Sequence, residues 1–198
     1  LFAKENGFKV AISGIGADEL FGGYSDFREI PKILKYSKLL KNNKYIDNFF
    51  KFLVSKFYNK SNKEKLINMS KFSSGLSSAF FFKRCLFLPH EIYKFTDSKI
   101  INHGLEEIID NFYTQSNDVS YMDEYERIIY LHMNNYLKNQ LLRDADWSSM
   151  AHSVEMRVPY VDLDFIKSVI ILIKSKLPPT KKSLLNLTSK NIFNELKK

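Results

Sequence analysis

Apolar residues recur every three to four positions along most of this 198-residue chain, a spacing that predicts helices. Phe8-Lys9-Val10-Ala11-Ile12 is the exception. It is a short, nearly continuous apolar run, and it predicts an interior parallel strand covered on both faces. Pro31 is placed to open a helix carrying Ile33, Leu34, Leu39 and Leu40, and Asn42-Asn43 interrupts it. Ile46, Phe49, Phe50, Leu53 and Phe57 then read as a core stripe. Ser61-Asn62 suits the cap of a short helix ending near Lys71. Ser73-Ser74-Gly75 breaks the pattern, Ser77 to Phe87 reads as an aromatic helix, and Pro89 ends it. Residues 103 to 115 predict an acidic amphipathic helix, and Tyr121 to Leu142 a longer one, capped by Asp118 or Ser120. Pro159 biases Val158 toward extended backbone. Asp162 then suits the cap of a helix over 163 to 174, Pro178-Pro179 makes a break, and 183 to 196 reads as a last helix. Only one strand stands out, so a doubly wound sheet needs further strands, expected before residue 1.

The candidate chemistry starts where that strand stops. Ser13-Gly14-Ile15-Gly16-Ala17-Asp18-Glu19-Leu20-Phe21-Gly22-Gly23-Tyr24 holds four of the chain's seven glycines. Glycine admits positive φ and lets backbone amides approach a ligand closely. A strand leading into a Gly-rich turn with a carboxylate is a common way to present phosphate and Mg²⁺. The run is not a P-loop, because no Gly-Lys-Ser/Thr follows. It is not a dinucleotide fingerprint either, because Glu19 stands where the third glycine belongs.

It does resemble the SG-x-G-[AS]-DE-x-FGGY loop of the asparagine synthetase family, in its ATP-dependent synthetase domain. A second segment, Leu141-Leu142-Arg143-Asp144 through Ser149-Met150-Ala151-His152-Ser153 to Arg157-Val158-Pro159-Tyr160-Val161-Asp162, looks like the same family's "LLRD…SMAHS-x-E-x-RVP-[FY]-x-D" stretch. The two lie in the family's order. From 32 to 118 the chain offers only a generic helical pattern.

The resemblance implies an α/β fold of the PP-loop ATP pyrophosphatase type (adenine nucleotide alpha hydrolase-like), with this portion mostly helical. It implies ATP and Mg²⁺ as cofactors. It implies carboxylate adenylation with release of pyrophosphate, then displacement of AMP by ammonia, which a separate glutaminase domain supplies from glutamine. Ser13, Gly14 and Gly16 match nucleotide-contacting positions, and Asp18 matches the carboxylate that holds Mg²⁺ with pyrophosphate. A helix cap for the Glu19-Leu20-Phe21 turn is the other reading of Asp18. Gly22 and Gly23 read as turn and packing positions. Ile15 departs from the Glu usual in asparagine synthetases proper, which counts against aspartate as the substrate. Trp147 stands where the family has a basic or polar residue.

Two family parts are not in the sequence: the Ser-Gly-Gly-x-Asp-Ser pyrophosphate loop and the Lys-bearing R-x-K-x-G-F loop. Lys181-Lys182-Ser183-Leu184-Leu185 looks like the helix just before the latter. Residues 1 to 198 are therefore expected to be a partial synthetase domain, without the glutaminase domain.

Charge refines the picture. The formal net charge is +8, and residues 32 to 65 hold ten lysines against Asp47 and Glu64. A solvated helical face accounts for this better than a polyanion site, since arginine is scarce and no nucleic-acid motif accompanies the lysines. No nucleic acid and no membrane is expected as a partner, only small molecules: a carboxylic acid such as aspartate, ATP, and glutamine or ammonia. The single cysteine, Cys85, suits a reducing cytoplasm and reads as a buried, inert thiol. Arg143 and Asp146 lie three apart and are expected to pair, as are Glu155 and Arg157 on one face of an extended segment. His152 has no nearby Cys or His, so no metal is expected there.

The reading is a ligase of asparagine biosynthesis with amidotransferase chemistry. One rival is a family ligase joining another carboxylate and amine. Another, from a different class, is a basic helical binding module without catalysis. The substrate acid, the amine donor and the oligomeric state are not legible.

Overall fold

Two three-residue strands run parallel in the computed structural model, β1 (Val10–Ile12) and β2 (Glu155–Arg157). The register pairs Val10 with Glu155, Ala11 with Met156 and Ile12 with Arg157. The structure describes residues 2–58, 60–92, 95, 119–175, 179–184 and 186. The chain divides into two units, Leu1–Ser25 with Ile129–Lys198, and Asp26–Ile128. The expected helix over 103 to 115 lies outside the described residues, as does most of the one over 183 to 196.

The first unit holds the sheet. The strand is parallel, as its apolar run predicts, but it is not interior. Ile12 is 77% exposed, and Phe8 and Val10 are exposed as well. Each strand has one neighbour among the described residues, and the face carrying Val10 and Ile12 is open, while Ala11 on the other face is half-buried. The strand is also shorter than 8 to 12. The Phe8 N–H goes to the Ala3 carbonyl at 2.9 Å, closing the turn after helix α1 (Phe2–Glu5) rather than joining the sheet.

The Gly-rich turn leads from β1 into the one-turn helix α2 (Ala17–Leu20). Pro159–Val161 forms a 3₁₀ turn after β2, and Asp162 caps the helix that follows, Leu163–Ile173. The Asp162 carboxylate accepts from the Asp164 and Phe165 N–H groups at 3.0 and 2.9 Å, as the sequence predicts.

The second unit is helical: α3 (Asp26–Asn42), α4 (Lys44–Phe57), α5 (Lys60–Ile67), a 3₁₀ turn (Met69–Phe72), α6 (Leu76–Arg84) and α7 (Pro89–Ile92). Its core joins Leu40, Met69, Phe82 and Leu88, with Ile33, Phe50, Leu66, Phe72 and Cys85 against them. Asn43 separates α3 from α4 and caps the latter, accepting from the Tyr45 and Ile46 N–H groups at 3.1 and 3.2 Å.

Several expectations are corrected here. Pro31 lies inside α3, not at its start; as the sixth helical residue it removes the N–H that would bond the Phe27 carbonyl, a local cost to the helix. Pro89 opens a helix rather than only ending one, because its fixed φ suits a first helical position. The Leu88 N–H completes that start by donating to the Glu91 carboxylate at 2.6 Å. Helix α5 has begun before Ser61-Asn62. In α4 the buried residue is Val54, at 1% exposure, whereas Phe49 is 63% exposed and Ile46 and Phe57 face solvent too.

The predicted helix over 121 to 142 starts at Glu124 and continues to Met150, as α8 (Glu124–Leu131), a π-helical stretch (His132–Leu141) and α9 (Leu142–Met150). Its cap is Asp123, not Ser120, and Asp118 lies outside the described residues. Asp123 accepts from the Glu126 N–H at 2.8 Å and donates its own N–H to the Glu126 carboxylate at 3.0 Å, a reciprocal box.

Candidate nucleotide and phosphate site

The Gly-rich loop is held by the segment that carries β2. The Ser13 N–H continues the strand pairing to the Arg157 carbonyl at 2.9 Å. The Ser13 hydroxyl then accepts from the Ile15 N–H at 3.3 Å, turning the chain sharply. Gly16 follows at φ +98°. A Cβ there would lie 2.9 Å from Val161 Cγ2 and 3.2 Å from Tyr160 Cβ, so glycine is required by both backbone and packing. Phe21 meets the same Tyr160 edge to face, with centroids 6.1 Å apart. The two motifs recognised in the sequence are thus packed on each other.

Gly14 differs from Gly16. An added Cβ would meet nothing within 4 Å, so its backbone lies open at the strand end.

Asp18 and Glu19 are neighbours with opposite fates. Glu19 is 1% exposed. Its carboxylate accepts the Tyr24 hydroxyl at 2.7 Å, and Tyr24 in turn stacks on His132, 5.1 Å between centroids. Burial first, and then the bond to Glu19, push the Tyr24 phenol far above its ordinary range. This Glu-Tyr-His stack ties the loop to the π-helical stretch. The sequence reading did not assign it, although the Glu and Tyr both belong to the recognised motif.

Asp18 is 33% exposed at its side chain and pairs with Lys181. It sits within the first turn of α2, and the cap position is Gly16, so the cap reading of Asp18 does not hold. Gly22 takes φ +64°. A Cβ on Gly23 would come within 2.7 Å of Asp18 Cγ. The bare Gly23 backbone therefore makes room for this carboxylate, in line with the packing role expected of it.

The Lys181 backbone N–H bonds the Phe21 carbonyl at 2.9 Å. Thr180 and Ser183 start the turn there by mutual capping, N–H to hydroxyl at 2.9 and 3.2 Å. Gly22, Gly23, Thr180, Lys181, Lys182 and Asn186 line a cleft of about 350 Å³. Lys181 was not singled out by the sequence reading. It lies 163 residues from its partner, and no local pattern signals such a pair.

Among the described residues, no three His, Cys, Asp or Glu side chains gather into a metal centre. Asp18 offers one carboxylate. That donor set does not make a resident metal site, but it fits Mg²⁺ carried in on phosphate, which keeps waters and takes one or two protein carboxylates.

The downstream motif differs in detail from expectation. Arg143 lies 3.6 Å from the Asp144 carboxylate, not on Asp146, and its guanidinium covers the Trp147 ring at 5.1 Å. Both ends of the Arg143–Asp144 pair are more than half exposed, where a stacked indole holds a guanidinium as readily as a second acid does. Glu155 and Arg157 pair at 2.9 Å as predicted. His152 lines a separate cavity of about 380 Å³ with Ser148, Ser149 and Met156. Cys85 is half-buried, and burial raises its thiol pKa.

Comparison with known proteins agrees with the motifs. The family described as asparagine synthase matches residues 2–195. The "Asparagine synthetase [glutamine-hydrolyzing] 1" of Bacillus subtilis (strain 168) is 26% identical over 170 residues, 85% of this chain. The chain spans 25% of that relative's length. No solved structure matches significantly. With a family match over nearly its whole length and both family motifs packed together at one strand end, the chain belongs to the asparagine synthase family.

Proposed function

We propose that this chain supplies part of the synthetase site of an ATP-dependent amide-forming ligase. The observation that carries the reading is the disposition of Ser13, Gly14 and Asp18 around the turn that leaves β1 at its C-terminal end. Ligands of open α/β sheets bind beyond such strand ends. In this reading Ser13 and Gly14 meet the nucleotide and Gly16 shapes the turn beneath it. Asp18 would hold Mg²⁺ brought in with phosphate, and the ion would supply charge neutralisation there. The substrate carboxylate attacks the α-phosphorus of ATP, pyrophosphate leaves, and an amine then displaces AMP from the acyl carbon. Ammonia derived from glutamine is the proposed amine, and the lone Cys85 suits a cytoplasmic protein.

Ile15 favours a second reading within the same chemistry. It is half-buried beside Ser13 and can hold neither a proton nor an ammonium. A carboxylate other than aspartate fits it better.

The test is ATP–pyrophosphate exchange in the full-length protein, driven by aspartate and by other carboxylic acids. Asp18→Asn keeps size and removes charge, and exchange should fall steeply. Ile15→Glu should not improve native exchange, and should permit weak exchange with aspartate. Wild-type exchange in Asp18→Asn would remove the metal role. Efficient aspartate exchange in the unaltered protein would make asparagine synthetase the better reading. No exchange with any acid would favour a binding module.

A further inference from the structure

The Asp18–Lys181 pair stands at the one carboxylate assigned to metal, and the inference drawn from it rests on that assignment. We propose that Lys181 is a built-in substitute for the cation. Its ammonium occupies Asp18 until a metal–phosphate arrives, so the site rejects free divalent cations and admits them only with their anion.

Three features of the contact support this. The side chains are 46% and 33% exposed, so the pair can part without unfolding anything. The Lys181 backbone is fixed independently by its N–H bond to Phe21. The four-carbon stem can therefore swing while its anchor stays, and lysine is a flexible point charge rather than a rigid fork. Beside the pair lies the cleft of about 350 Å³ lined by Gly22, Gly23, Thr180, Lys182 and Asn186. It offers the displaced ammonium, and Lys182 with it, a place to meet phosphate oxygens.

Charge then decides which species can enter. Asp18 and Lys181 together are neutral. A bare Mg²⁺ that takes the carboxylate leaves an ammonium a few ångströms from a dication, and such like-charge contacts are costly near a protein surface. A metal–pyrophosphate brings its own negative oxygens, and the ammonium exchanges one anionic partner for another. No bond is made or broken, and the carboxylate stays in place because Gly23 leaves room for it.

The experiment uses the full-length protein with Mn²⁺ as a paramagnetic probe, titrated alone and with pyrophosphate. In the unaltered chain pyrophosphate should tighten Mn²⁺ binding by about tenfold or more. Lys181→Met should bind Mn²⁺ alone about tenfold more tightly than the unaltered chain and bind Mn²⁺–pyrophosphate less well. Lys181→Arg keeps the charge and should leave free-Mn²⁺ affinity as low as in the unaltered protein. Free-Mn²⁺ affinity that is unchanged or lower in a folded Lys181→Met would overturn the proposal. So would the absence of synergy with pyrophosphate in the unaltered chain, however the variants fold. Asp18→Asn separates the two layers of the argument. If it binds Mn²⁺–pyrophosphate normally, the metal role of Asp18 fails. If it loses that binding while Lys181→Met changes nothing, Asp18 keeps its role and only the substitution by lysine fails.

Discussion

Gly14 and Gly16 sit two residues apart and do different work, which stability measurements can separate. Gly16→Ala forces a side chain into positive φ and against Val161 and Tyr160. It should lower unfolding free energy by about 1–3 kcal/mol in urea titration. Gly14→Ala meets nothing and should stay within about 0.5 kcal/mol, so any loss of nucleotide binding there reports contact with ligand. Tyr24→Phe is a third test at this scale. It removes the hydroxyl donated to the buried Glu19 carboxylate and should cost about 1–3 kcal/mol. It should also change the alkaline limb. The folded phenol holds its proton more tightly than the unfolded one, so this group's stabilisation is complete below about pH 10 and falls as pH rises beyond it. Chemical denaturation between pH 9 and 11 should show a shallower decline in Tyr24→Phe than in the unaltered chain.

Helix α4 shows what hydrophobic periodicity conveys and what it leaves open. The spacing identifies a helix, and Phe50 and Leu53 are indeed half-buried. Yet the buried line runs through Val54, while the larger Phe49 and Phe57 face solvent. The apolar residues of this helix fill a broad arc opposite Lys44, Asp47, Lys51 and Ser55, so period alone does not fix which part of that arc packs. Val54→Ala should therefore cost about 1–3 kcal/mol, and Phe49→Ala about 0.5 kcal/mol or less, by thermal or urea unfolding. Element starts were legible where a side chain acts on its own next turn, as at Asp162. They were missed where two residues cooperate, as in the Asp123–Glu126 box. The π-helical stretch His132–Leu141 left no trace in the sequence pattern, because its widened turns follow from backbone bonding rather than from residue type.

For the whole molecule, the two motifs gave the family and the strand that leads into the first of them gave the site's location, because each resides in contiguous residues. The partner of Asp18 and the open face of the sheet at Val10 and Ile12 were not legible, since both depend on which distant segments meet. The sheet also bears on activity. Adenylation depends on positioning and charge stabilisation, and neither the Ser-Gly-Gly-x-Asp-Ser loop nor the R-x-K-x-G-F loop is among these 198 residues. The purified chain should release no pyrophosphate from ATP above background with aspartate and glutamine. Turnover that disappears in Asp18→Ala would show that those loops are dispensable. Finally, β1 and β2 each present an outer edge that no described strand covers, next to the exposed Ile12 and Phe8. Such edges are templates for pairing with another chain, and two strands alone are marginal. Concentrated solutions of this chain should therefore lose material by edge-to-edge association before they lose it by unfolding, and a charged residue at position 12 is the natural way to keep it monodisperse.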